Sequence, residues 1–175
     1  GITSALTAFT IVGLPDTAVQ EARERVRLAI KSSDLDFPTT KTTVNLAPAD
    51  LKKEGPKYDL PVALAVLLAH EELKPAAGLG PNFFNRFLFL GELALDGRLR
   101  PVSGVLPAAL CAARRGLEGM FVPADNAAEA ALVRELKVYP VQDLRQLVAH
   151  LRWEEPMEPI PTSNIPYTPT AIEVN

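Results

Sequence analysis

Residues 60–69 read LPVALAVLLA, and this almost wholly apolar stretch decides the fold. The stretch is too short to span a bilayer, which needs about 20 residues, so the pattern predicts a helix buried inside a domain. Pro61 is compatible with such a helix, because the backbone N–H groups of the first turn have no partner within the helix. We therefore expect the other elements to pack around a central helix over residues 60–69.

Upstream of this helix, strand and helix patterns alternate. β-Branched residues over 7–12 and again over 41–46 predict two strands. Between them, apolar residues recur at intervals of three and four over 17–33, which predicts a helix with Asp16 as its N-cap. We expect the charged residues of this helix to form a solvated face with ion pairs along the helix; they are Glu21, Arg23, Glu24, Arg25, Arg27 and Lys31.

Downstream of the central helix, the sequence predicts a hairpin followed by alternating helices and strands. Asp96-Gly97 favours a tight turn between strands over 87–95 and 99–102, because glycine accepts a positive φ. The remaining patterns predict helices over 104–115, 125–132 and 143–151, the last two capped by Asp125 and Asp143, and strands over 119–123 and 136–141. The predicted fold class is α+β, with a mixed sheet packed against helices.

The chain divides into one domain and a tail. Residues 1–153 are enough for a single domain with a sizeable core. Residues 154–175 contain five prolines in mostly polar sequence, a composition that buries too little apolar surface to offset the entropy of ordering. This pattern predicts a Pro-rich interdomain linker over 154–175, extended and mobile.

Composition and missing motifs exclude several classes of function. The net charge of -3 gives no overall basic footprint for nucleic acid. The single cysteine, Cys111, rules out an internal disulfide and a cysteine-based metal cluster, and it suits a reducing cytoplasm. There is no Walker A sequence, no Gly-x-Ser-x-Gly elbow and no apolar run long enough to cross a membrane. We therefore expect a cytoplasmic domain that binds neither nucleotide nor metal.

Four stretches in a fixed order resemble one known family. They are FTIVGLPDTAVQEARERVRLAI over 9–30, TVNLAPADLKKEGPKYDLPVAL over 43–64, FLGELALDGRLRPVSGVLPAAL over 89–110, and the VP-x-x-NAAEAAL pattern over 122–132. Together they resemble the N-terminal domain of the ComM/YifB family of magnesium-chelatase-related AAA+ ATPases. The resemblance implies a fold like the Lon proteolytic domain and ribosomal protein S5 domain 2. It also implies that the linker leads to an AAA+ module, which lies outside these 175 residues.

The relation to Lon implies a position for each residue of the catalytic pair. The Lon nucleophile lies in an Asp-Gly-Pro-Ser-Ala-Gly run before a buried helix, and residues 54–59 here read EGPKYD, so Lys57 stands in place of the serine. The position of the Lon lysine falls on Leu106, which follows the PVSG turn over 101–104. Leucine has no titratable group and cannot act as a base, so the resemblance implies a domain without peptidase activity. A swapped pair, with Lys57 as base and Ser103 as nucleophile, remains an alternative hypothesis.

The function that the resemblance implies belongs to a larger ATP-driven protein. ATP and Mg²⁺ would bind only in the AAA+ module, the full-length protein would form a bacterial homo-hexamer, and its work would be on DNA, of the branch-migration type. The domain itself would be an accessory domain for assembly or for engaging DNA or another partner. The alternative is a divergent Lon-like peptidase domain.

A candidate basic strip for DNA phosphates comprises Lys52, Lys53, Lys57, Arg98 and Arg100. Acidic residues lie among these positions, so a surface of mixed charge is the alternative interpretation; they are Asp50, Glu54, Asp59 and Asp96.

Overall fold

The computed structural model describes residues 9–12, 16–37, 42–45, 55–71, 73–79 and 82–161. Its helices are α1 Asp16–Ser32, α2 Asp59–Ala69, α3 Val105–Arg114, α4 Ala127–Ala130 and α5 Leu144–Leu151. Its strands are β1 Phe9–Val12, β2 Thr42–Asn45, β3 Phe87–Phe89, β4 Glu92–Leu93, β5 Leu99–Arg100, β6 Gly119–Pro123 and β7 Lys137–Val141. Short 3₁₀ turns occupy Pro56–Tyr58, Ala77–Leu79, Phe83–Arg86 and Ala124–Asn126.

The strands form parallel and antiparallel groups, so the predicted α+β class with a mixed arrangement of strands is confirmed. β3, β6 and β7 make a parallel sheet with β6 in the middle. β1 and β2 form a parallel pair, and β4 and β5 form an antiparallel pair. Pro140 fits within β7 because β7 is an edge strand of its sheet, where a missing N–H is tolerated.

The core consists of two apolar clusters, one on each face of the β3–β6–β7 sheet. Successive residues of β6 point to opposite faces: Phe121 lies in the first cluster, and Met120 and Val122 lie in the second. The first cluster also contains buried aliphatic residues of α1, α2 and α5, and the second contains those of α3 and α4. The burial predicted for the LPVALAVLLA helix is confirmed, because most side chains of α2 are buried and its buried apolar residues lie in the first cluster.

The prediction that residues 87–95 form one strand of a hairpin is wrong. Residues Phe87–Phe89 pair with β6 in the parallel sheet, and only Glu92–Leu93 pair with β5 across the Asp96-Gly97 turn. The reason is burial: all three residues of β3 are buried, a pattern typical of a strand covered by helices on both faces. An exposed hairpin would instead alternate buried and exposed residues.

The helix predicted over 125–132 is also shorter than expected, and Asp125 does not cap it. The segment begins as a 3₁₀ turn, Ala124–Asn126, and continues as α4 over only four residues. The N-cap prediction for Asp143 is confirmed, since its carboxylate accepts a hydrogen bond from Gln146 N–H. The side chain of Asp16 lies outside the described residues.

Residues 156–161, here called the strap, follow α5 and lie against the domain in an extended conformation. The N–H of Ile160 donates to the carbonyl of Val138 over 2.8 Å, at the outer edge of β7. Residues 154–161 are the part of the predicted linker that the structure describes, and the strap is most of that part. No helix within the described residues is both long and apolar enough to cross a membrane.

Candidate functional site

The 3₁₀ turn Pro56–Tyr58 holds Lys57 beside Gly91, which lies between β3 and β4. The Lys57 carbonyl accepts a hydrogen bond from Gly91 N–H at 2.8 Å, and Leu60 N–H donates to the Gly91 carbonyl at 3.0 Å. These two bonds join the start of α2 to the sheet. They place the backbone of Lys57 at the end of β3, next to the segment that carries Ser103.

The Lys57 side chain reaches the turn formed by residues 101–104, here called the Ser103 turn. Gly104 has a φ of +77°, and a Cβ atom built on it would lie 3.1 Å from Lys57 Nζ. The same ammonium lies 5.9 Å from the centroid of the Tyr58 ring, a cation–π arrangement. The structure therefore brings Lys57 and the Ser103 turn together, and the positive φ at position 104 favours glycine there.

The contacts of Ser103 and Leu106 differ from those of a catalytic pair. Ser103 is exposed, and among the contacts of the described residues no hydrogen bond joins its hydroxyl to Lys57. Leu106 packs on the second cluster, and its N–H donates to Glu129 Oε1 at 3.3 Å. The position that the resemblance assigns to the Lon lysine thus holds an apolar side chain, and a glutamate covers the adjoining end of α3.

Asn126 holds the Ser103 turn in place. Its Oδ1 accepts from Val102 N–H and its Nδ2 donates to the Val102 carbonyl, both at 2.9 Å. The side chain is only 7% exposed, so these bonds are shielded from water. Asn126 lies in the NAAEAAL stretch on which the family resemblance partly rests. That stretch did not predict the hydrogen bonds of Asn126 to Val102.

Replacing Asn126 with alanine is expected to lower the free energy of unfolding by about 1–3 kcal/mol, because both backbone groups of Val102 lose their partner. Urea unfolding measures the change. The matched control is Asp125→Ala, an exposed residue of the same 3₁₀ turn, which is expected to change stability by less than about 0.5 kcal/mol. Equal effects of the two substitutions would contradict this role for Asn126.

An ion pair with a buried carboxylate forms at Asp59, the residue that follows Tyr58. Arg25 of α1 donates from Nε and Nη2 to the two carboxylate oxygens of Asp59, at 2.7 and 3.0 Å. Asp59 also accepts from Leu93 N–H of β4 at 3.0 Å. Its side chain is 1% exposed, against 22% for Arg25. The pair therefore joins α1, α2 and β4 at one buried point.

This pair corrects the prediction that the charged residues of α1 form a uniformly solvated face. Arg27 does pair with Glu24 one turn away, as expected for a solvated helix face. Arg25 instead turns inward to Asp59, 34 residues further along the chain. Helical spacing alone did not reveal this contact, because the partner belongs to another element.

Burial and pairing act in opposite directions on the protonation of Asp59. Burial raises the pKa of the Asp59 carboxyl above its usual value, and this effect outweighs the hydrogen bonds from Arg25 and Leu93, which lower it. The Asp59 carboxylate raises the pKa of Arg25, whose guanidinium also feels Glu92 and Glu21. The bidentate contact thus offsets part of the penalty that burial places on the charged carboxylate.

Beside the ion pair lies a cleft of about 270 Å³. Its charged lining residues are Glu21, Arg25, Asp59 and Glu92. Three carboxylates face one guanidinium, so the cleft has an acidic character. No group of three or more histidine, cysteine or acidic side chains suited to a metal ion occurs among the described residues.

Two described residues of the candidate basic strip, Arg98 and Arg100, have a carboxylate beside them. Lys52 and Lys53 lie outside the described residues. Arg98 pairs with Asp96 at 3.5 Å, and Arg100 lies opposite Glu92 in the β4–β5 pair. Lys57 is directed towards the Ser103 turn. The mixed-charge interpretation of this surface therefore applies to two of the three described members of the strip, and the strip as a DNA contact stays a prediction.

Comparison with known proteins identifies the family. The family model described as subunit ChlI of Mg-chelatase matches residues 1–126. The chain belongs to the Mg-chelatase subunit ChlI family. An uncharacterized protein of Mycobacterium tuberculosis is 48% identical over 151 residues, 86% of this chain and 29% of that protein.

Two further relatives have the names that the sequence resemblance indicated. The competence protein ComM of Haemophilus influenzae is 42% identical over 147 residues, 84% of this chain and 28% of that protein. The YifB protein of Escherichia coli is 41% identical over 165 residues, 94% of this chain and 31% of that protein. This member of the ChlI family thus spans less than a third of the length of these relatives.

The chain is also similar to Lon proteases, but at a lower level. The Lon protease of Rhizobium meliloti is 28% identical over 118 residues, 63% of this chain and 14% of that protein. The expected relation between this ChlI-family chain and Lon is thereby confirmed as a weaker similarity.

Proposed function

We propose that this chain is a non-catalytic accessory domain of a Mg-chelatase-related AAA+ ATPase. The observation that carries the proposal is Leu106, which packs on the second cluster where the resemblance places the Lon base. A domain without that base has no group there to activate a hydroxyl, so its role is to bind rather than to cleave. ATP and Mg²⁺ would bind in an AAA+ module that follows the linker, and the protein would work in the cytoplasm.

The family relatives support a role within a larger protein. Those reported above are all more than three times as long as the part that matches this chain. The likeness to a competence protein supports the expectation that the whole protein acts on DNA, in the branch-migration type of work that the family resemblance implies. The domain would then contribute to packing between the subunits of a homo-hexamer or to engagement of the DNA.

A deletion in the full-length protein tests this accessory role. Removal of residues 1–161 is expected to leave ATP binding intact and to impair hexamer formation or DNA engagement. Nucleotide binding, analytical ultracentrifugation and a DNA gel shift would measure the three properties on the same preparation. A deletion protein that no longer binds ATP would contradict the proposal, and so would one that assembles and engages DNA like the intact protein.

The competing function is a divergent peptidase, which the partial similarity to Lon proteases favours. In that case Lys57 would activate the Ser103 hydroxyl as the nucleophile. A fluorophosphonate probe followed by peptide mass spectrometry would test this possibility, with Ser103→Ala as the control. We expect no modification at Ser103; labelling that disappears in Ser103→Ala and in Lys57→Ala would favour the peptidase instead.

Direct DNA binding by this domain alone is a separate question. The carboxylates beside Arg98 and Arg100 disfavour binding of DNA phosphates. We therefore expect that the domain does not shift a DNA fragment in a gel at low salt. Binding that weakens steeply with salt and is lost in an Arg98→Ala, Arg100→Ala variant would contradict this expectation and would place a phosphate contact on the β4–β5 hairpin.

A further inference from the structure

The strap crosses the edge of the central sheet from one layer of the domain to the other. Met157 packs on the first cluster, on the α5 side of the sheet, and Ile160 packs on the second cluster. Between them the strap passes the outer edge of β7, where Ile160 N–H bonds to the Val138 carbonyl. The strap therefore contacts the clusters on both faces of the sheet.

His150 fastens the start of the strap. Its Nδ1 accepts a hydrogen bond from the backbone N–H of Met157 at 2.8 Å. His150 is only 4% exposed. The centroid of its ring lies 5.6 Å from the ring centroid of Phe121, 5.7 Å from that of Tyr139 and 5.6 Å from that of Trp153. Because Nδ1 accepts in this bond, the imidazole must be neutral with its proton on Nε2.

We propose that His150 is a pH-operated latch: the neutral imidazole fastens the strap to the domain, and protonation at Nδ1 releases it. A protonated Nδ1 is a donor, so it would face the Met157 N–H as donor against donor. The bond cannot form in that state, and either the strap or the ring must move. The attachment of the strap to the domain thereby depends on the charge of a single side chain.

The groups that face His150 set the pH at which the latch opens. Phe121 of β6 and Trp153 after α5 present apolar rings, and Tyr139 of β7 presents a neutral phenol ring. Glu158 of the strap is the charged group whose field favours the imidazolium. Burial outweighs Glu158 and lowers the pKa of His150 below its usual 6.5. The latch is therefore closed at neutral pH and opens on acidification.

The direction of the stability change follows from the same shift. The usual pKa of histidine is 6.5, and the pKa of His150 in the folded protein is lower. At pH values between these two, the unfolded chain binds more protons than the folded one. Stability contributed by the neutral imidazole is therefore complete above pH 6.5 and is lost as the pH falls through this window.

Hydrogen exchange on the 175-residue chain tests the latch. The amides of Met157 and Ile160 are compared at about pH 8 and about pH 5 after correction for intrinsic exchange. Acidification is expected to lower their protection on the order of fivefold, the equivalent of one hydrogen bond. Amides of β6 serve as the internal reference, because they report whether the whole domain has opened. Equal protection of the strap amides at both pH values would overturn the proposal.

Two variants identify the titrating group. His150→Asn keeps an acceptor oxygen without a titratable ring, so its strap is expected to lack the pH response. His70→Gln removes the other histidine of the chain and is expected to respond like the wild type. Trp153 is the sole tryptophan and its ring lies beside His150. In the wild type, its fluorescence therefore gives a second measurement of the pH response. An unchanged pH response in His150→Asn, or its loss in His70→Gln, would overturn the assignment to His150.

Discussion

Replacing Arg25 with methionine is expected to lower the free energy of unfolding by about 3 kcal/mol at neutral pH. The substitution keeps the aliphatic bulk of the side chain but leaves the Asp59 carboxylate, 1% exposed, with no opposite charge. Removing one partner of a buried pair costs more than the pair itself contributes, because the remaining charge has lost both water and its counter-ion. Urea unfolding monitored by circular dichroism would measure the change.

The pH dependence distinguishes this mechanism from a general packing defect. Without Arg25, the already raised pKa of Asp59 rises further, so the carboxyl takes up a proton at a higher pH than in the wild type. The folded variant then binds more protons than the unfolded chain below neutrality, and its deficit relative to the wild type shrinks as the pH falls. A deficit that stays constant from neutral to acidic pH would contradict the account.

The double variant provides the control for the ion pair. Asp59→Asn removes the charge but keeps an oxygen for Leu93 N–H. Adding it to Arg25→Met is expected to recover a large part of the lost stability, since no buried charge then remains. Strict additivity of the two substitutions in a double-mutant cycle would mean that Arg25 and Asp59 do not interact energetically.

Replacing Phe121 with alanine is expected to destabilise the domain by about 3–5 kcal/mol. Phe121 is fully buried in the middle strand of the sheet, with ring centroids 4.9 Å from Phe89 and 4.5 Å from Tyr139 in stacked geometry. The substitution removes these contacts and leaves a cavity between the sheet and α5, which the surrounding elements fill only in part. Thermal and urea unfolding would measure the loss.

Phe84→Ala is the matched control for the core. Phe84 is half-buried at the rim of the first cluster and contacts Phe83 and Phe89. Its truncation is expected to cost about 1 kcal/mol, because the site can admit water or collapse. If Phe84→Ala destabilised the domain as much as Phe121→Ala, the central role given to β6 would be wrong.

The sequence predicted those elements whose signal is local. The unbroken apolar run of α2 indicated a buried helix, and the period of α1 located it to within one residue at each end. The Asp143 cap was predictable because a cap and its partner lie within one turn. The division of residues 87–95 between two sheets was not, because it depends on pairing with β6, some thirty residues away.

The same distinction applies to the candidate site. The resemblance, rather than any pattern of spacing, indicated that Lys57 lies near the Ser103 turn. Sequence reasoning missed Arg25–Asp59 and Asn126–Val102, since each joins side chains or backbone from distant elements. Sequence reasoning also missed the contact at His150. There the buried Nδ1 accepts a hydrogen bond from Met157, which belongs to a stretch that composition predicted to be a linker.

The central claim is that a Lon-related domain has lost its catalytic pair, and a peptide-cleavage assay tests it most directly. The 175-residue chain would be incubated with an unstructured protein and a library of short peptides, alongside Lys57→Ala. We predict no turnover above the blank for either protein. Reproducible turnover by the wild type that is lost in Lys57→Ala would contradict the claim.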